Sequence, residues 1–229
     1  MSSPLRGISS MATRQVLAEL AAAWQARGGA PVQIESVGGV DAARRVAAGE
    51  PFDVVFLASD AVDKLLAAGD ALPGSRVDLV RSGVAVAVKQ GAARPDISSE
   101  EAVKQAVLAA PTIGYSTGPS GTALLKLFER WGIAEEVKQR TVQAPPGVPV
   151  GSLVAKGEVA LGFQQFSELM HLEGITVLGA LPEAIQINTV FSGAVCAAAA
   201  QPQAVRELLA FMASAETADL KRRCGMDAA

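Results

Sequence analysis

The chain has 229 residues, half of them apolar, with 20 basic and 23 acidic side chains for a net charge of −3. That length suits one large α/β domain or two small lobes. The slight acidity argues against a nucleic-acid partner, which needs a basic stripe. No apolar run is long enough to span a bilayer, and the longest candidate, 192–200, is about half the required length. A membrane-embedded protein is therefore not expected.

Strands and helices alternate along the chain. Residues 5–9 read as a short strand and 11–27 as a helix, ended by Gly28-Gly29. A strand at 32–36, a helix at 41–48 capped by Asp41, a buried strand at 53–58 and a helix at 60–68 follow. Residues 76–89 hold a long alternating strand. Ser98-Ser-Glu-Glu opens a helix that runs to 109. A strand at 112–115 leads into Ser116-Thr-Gly-Pro-Ser-Gly and a helix at 120–131. Beyond it lie a helix at 148–156, a strand at 158–163, a short helix at 166–171 and a strand at 175–178. Residues 189–197 are apolar and extended, and helices at 202–214 and 216–223 close the chain.

This alternation implies an α/β fold of mostly parallel sheets flanked by helices. The long strands near 76–89 and 187–197 are positioned to cross between two lobes. The expected division is a discontinuous first lobe, 1–81 plus 192–229, and an inserted second lobe, 82–191, with a cleft between them.

Four polar clusters fall where predicted strands end and helices begin: Ser9-Ser10, Ser36 with Gly38-Gly39, Ser59, and Ser116-Thr117 with Ser120-Gly121. In open α/β sheets ligands bind beyond the carboxyl ends of strands, where helix N-termini offer free N–H groups. Hydroxyls add donors without charge, and glycines let the backbone approach a ligand. A small anion fits this chemistry. Each cluster alone reads better as ordinary helix capping; four at equivalent strand ends point to a site.

The 116–121 motif lacks the GxxxxGK[ST] and GxGxxG patterns, which argues against a nucleotide. Gln164-Gln165 after an apolar strand is a second candidate, since one of the two side chains should enter the cleft. His171 is the only histidine, and neither it nor Cys196 and Cys224 offers metal-ligand spacing. No metal and no cofactor are expected, and both cysteines read as plain thiols.

With these clusters placed, the chain resembles the type II solute-binding proteins of ABC transporters, in the branch of the molybdate-binding proteins. The resemblance rests on Ser9-Ser10-Met-Ala, Ser36-Val-Gly-Gly-Val, the run from Gly49 through Asp53 to Ala58-Ser59-Asp60, Gly114 to Ala123, and Val154 to Gly162. It implies two lobes closing over a small oxyanion held by neutral donors, among them Ser10, Ser36 and Ser59. It also implies a monomer, with an ABC-transporter permease as partner. Two departures favour an organic di- or tricarboxylate over molybdate: Gln164-Gln165 where those binders usually carry a tyrosine, and the hydroxyl-rich Ser116, Thr117 and Ser120. The branch also includes an isomerase activity on cis- and trans-aconitate, and that alternative would need a proton-moving group, for which Tyr115, Glu168 and His171 are the candidates. The location follows from the N-terminus: cytoplasmic if Met1 is native, periplasmic if a signal peptide has been removed.

Overall fold

A computed structural model describes residues 3–229. The chain divides into two compact units, Met1–Ser82 with Thr189–Ala229, and Gly83–Asn188.

The first unit begins β1 Leu5–Ser10, α1 Arg14–Ala26, β2 Val32–Val37, α2 Gly39–Ala47, β3 Val54–Ala58 and α3 Ser59–Ala68. It takes the first part of β4 Val77–Lys89, which continues into the second unit. β1 pairs in parallel with both β2 and β3, and the register sets Ser9 opposite Ser36 and Phe56. The second unit holds α4 Glu100–Ala109, β5 Ile113–Tyr115, α5 Pro119–Arg130, α6 Ala134–Val137 and β6 Thr141–Gln143. It continues with α7 Val150–Lys156, β7 Leu161–Gln165, α8 Phe166–Leu169 and β8 Ile175–Ala180. There β5 pairs in parallel with β6 and β7, while β4 runs antiparallel to β7 and β8. β9 Asn188–Val195 returns the chain to the first unit and pairs antiparallel to β3. α9 Pro202–Ala213, α10 Ala218–Arg223 and β10 Asp227–Ala228 complete it, with β10 antiparallel to β4. Each unit therefore has three adjacent parallel strands with antiparallel partners added.

The run Val54-Val-Phe-Leu-Ala is apolar throughout because β3 is buried on both faces. Val54 and Phe56 pack with Leu17, Leu20 and Leu208 from α1 and α9. Val55 and Leu57 pack on the other face with Ala42, Val46, Val62 and Leu65 from α2 and α3. In the second unit Val84, Val86 and Phe163 pack under Leu124 and Phe128. Asp53, at the foot of β3, is 6 % exposed; its carboxylate accepts the N–H of Arg6 at 2.9 Å and of Ala200 at 2.8 Å. It joins β1 to the start of the α9 segment.

Several local expectations shift. The helix expected from 11 opens as a 3-10 turn, Met11–Thr13, with the Arg14 N–H donating to the Met11 carbonyl and Thr13 Oγ1 to the Ser10 carbonyl at 3.1 Å. Asp41 is not a cap: Gly38 holds that position and Asp41 lies in the first turn, paired with Arg44. β7 starts three residues later than expected and extends to Gln165, which places both glutamines inside the strand. α6 and β6, three or four residues each, carry no periodicity that reasoning from sequence detects.

Candidate functional site

In the first unit the parallel register brings residues 9–10, 36–39 and 58–59 to one edge of the sheet. Neighbouring strands there lie about 4.8 Å apart. Alternation along the strands then sorts the hydroxyls. Ser9 and Ser36 stand opposite one another, and their Oγ atoms lie 2.8 Å apart. Ser36 also borders a groove of about 490 Å³ along the flank of α1, formed by Arg14, Ala18, Ala22 and Gln25 with Ile34. Ser10 points the other way: a Cβ at Gly39 would sit 3.5 Å from the Ser10 Cβ. Ser10 Oγ lies 3.5 Å from Thr13 Oγ1. Ser59 is the first residue of α3 and half-buried.

In the second unit Ser116 Oγ lies 3.2 Å from Ser120 Oγ, and Ser120 is 5 % exposed. Thr117 and Gly118 are half-buried beside them. The capping position of α5 belongs to Gly118, with Pro119 next. Gly121 serves the chain itself: a Cβ there would fall 1.9 Å from the Ser116 carbonyl oxygen. That close approach folds the loop back over the first turn of α5.

None of the helices that start at these clusters has its N-terminus capped by a side chain: not the 3-10 turn after Ser10, nor α2, α3 or α5. The capping positions of α2, α3 and α5 are Gly38, Ala58 and Gly118. The first-turn N–H groups of these helices lack intrahelical acceptors, and the dipole makes each end attractive to negative charge. Hydroxyl pairs such as Ser116–Ser120 can turn as donors toward an anion, since each hydroxyl both donates and accepts. The strand-end positions named here include no Lys or Arg.

Gln164 and Gln165, 2 % and 3 % exposed, are buried. Gln164 is fixed at both ends: Oε1 accepts the Gly151 N–H at 3.3 Å, and Nε2 donates to Glu168 Oε1 at 2.9 Å. Burial pushes the Glu168 carboxyl up to about 7, against the opposing pull of the Gln164 hydrogen bond. Of the other two proton-moving candidates, Tyr115 is half-buried at the end of β5 and packs on the apolar core, while His171 is exposed. Cys196 and Cys224 are free thiols buried in different core clusters; burial raises them to about 12 and about 11. Among the described residues no group of three His, Cys, Asp or Glu is placed to hold a metal ion, and no helix is long and apolar enough to cross a membrane.

The model of the bacterial extracellular solute-binding protein family matches residues 5–227, and the chain belongs to that family. Its fold is the type II periplasmic-binding-protein fold. The chain is 43% identical over 177 residues to an aconitate isomerase from Pseudomonas sp, a match covering 76% of this chain and 66% of that enzyme. Among solved structures it superposes on the periplasmic molybdate-binding protein of Azotobacter vinelandii with a TM-score of 0.79 at 21% identity, covering 97% of this chain and 98% of the other. The sulfate-binding protein of Mycobacterium tuberculosis gives 0.79 at 16% identity, with 98% and 86% covered. At such identities these two define the fold.

Proposed function

We propose that the protein binds a small organic anion with two or three carboxylates, using hydroxyls and main-chain N–H groups at the strand ends of each unit. The observation that carries this reading is that the helical segments beginning at Met11, Gly39, Ser59 and Pro119 all start at hydroxyl-bearing strand ends and are left without side-chain caps. Neutral donors suffice for such a ligand. A hydrogen bond to a charged group contributes about 1.5–3 kcal/mol, so a handful reaches about −8 kcal/mol, a micromolar Kd, after association costs. The relative acting on aconitate supports a tricarboxylate over an inorganic oxyanion. In this reading the protein is the receptor of an ABC-type transporter.

Calorimetry with citrate, cis-aconitate, trans-aconitate, molybdate and sulfate tests the assignment. A carboxylate should bind at least tenfold more tightly than either oxyanion, about 1.4 kcal/mol. Ser10→Ala and Ser120→Ala should each weaken it by about tenfold. Unchanged affinity in both variants would refute the site.

A second reading, isomerisation of the bound carboxylate, is favoured by one specific observation. Glu168 is a half-buried acid in α8, held by Gln164 at the end of β7, and burial raises its carboxyl to about 7.

A further inference from the structure

We propose that Glu168 carries the proton in an isomerisation of the bound carboxylate, and that Gln164 is its positioning residue. The assignment rests on the isomerase reading above and selects among its three candidate groups.

Its ground is placement at one sheet edge. β5 and β7 are neighbouring parallel strands, with Ile113 opposite Leu161 and Gly114 opposite Gly162. Being parallel, the two strands finish at the same end of the sheet, where the loop of Ser116 and Ser120 follows β5 and α8 with Glu168 follows β7. Gln164, the next-to-last residue of β7, holds Glu168 of α8 through its Nε2, so the carboxyl is fixed against the end of β7. The anchorage at Gly151 prevents the Gln164 amide from turning away. The groups around the acid are simple. On β7 the polar partner is Gln164, on α7 it is the Gly151 N–H that Gln164 takes, and Lys156 closes the far end of α7. His171 follows three residues later and is exposed. Burial and the Gln164 hydrogen bond alone set where Glu168 titrates. A group that titrates near 7 can both take and return a proton at neutral pH.

The step balances without a co-reactant. An aconitate-type anion has a CH2 next to its carbon–carbon double bond. Ionised Glu168 removes a proton from that CH2, and the electron pair spreads through the double bond into the conjugated carboxylate. Protonated Glu168 returns the proton to the formerly vinylic carbon. One C–H bond breaks, one forms, and the double bond moves by one position with its geometry set anew.

The test follows trans-aconitate through the wild-type protein, Glu168→Gln and Gln164→Leu, with cis-aconitate formation, deuterium uptake from D2O and calorimetric affinity as readouts. Glu168→Gln should lose at least about 100-fold in turnover while still binding trans-aconitate. Gln164→Leu removes the bond that favours ionised Glu168, so the pH at half-maximal kcat/KM should move upward from about 7. Turnover that survives Glu168→Gln, or a pH profile that Gln164→Leu leaves unmoved, overturns the assignment and leaves the isomerase reading standing. Wild-type protein that binds trans-aconitate without converting it overturns both.

Discussion

Lys221 is 1 % exposed, among the largest fully buried side chains of the protein. Burial lowers its ammonium from the ordinary lysine value. Lys221→Met, with a similar stem and no charge, should stabilise the protein at pH 7 in urea denaturation. The pH dependence has a definite sign. Above the folded-state value the folded chain holds fewer protons than the unfolded chain, so stability rises with pH up to the unfolded lysine value, about 10.4. As pH falls through the folded-state value that contribution is lost. The Met variant should show a flatter stability profile between neutral pH and pH 10; an identical slope in both proteins would refute the account.

At the scale of elements, the loop from Ser116 into α5 depends on one glycine. The Ser116 carbonyl occupies the space where a side chain at 121 would begin. Backbone cannot yield as a flexible side chain can, so Gly121→Ala should destabilise by more than about 2 kcal/mol and weaken anion binding with it. Gly118→Ala is the matched control, since a Cβ there meets only Ser116 Oγ at 3.7 Å. Thermal melts of the two variants check the difference. The glycines of this motif were expected to admit a ligand. For Gly121 the closest approach is instead made by the chain's own carbonyl, which no local pattern announces. Gln164 tells a similar story. Its pairing with Gln165 after an apolar run drew notice in the sequence, but its partners, Gly151 and Glu168, lie 13 positions back and four ahead on separate helices. The strand-to-helix order was legible because apolar periods of two and near 3.6 are local. Short elements such as β6 were not, because three residues fall below either period.

For the whole molecule, a ligand that binds only the folded chain adds stability by mass action, about 2.7 kcal/mol at 100 times its Kd. Citrate or an aconitate at that excess should raise the melting temperature by several degrees, and molybdate at equal concentration by much less. A reducing agent should leave the melting temperature unchanged, because Cys196 and Cys224 are free thiols in separate clusters. The sequence by itself determined the α/β class, the order of most elements and the hydroxyl-rich strand ends, since each is written in neighbours along the chain. Only the tertiary structure decided which hydroxyls face one another. Register sets Ser9 against Ser36 and turns Ser10 toward Gly39, and strand pairing brings the ends of β5 and β7, with the segments that follow them, to one end of the sheet. Register is fixed by the burial of both faces of a sheet, a property of contacts far apart in sequence.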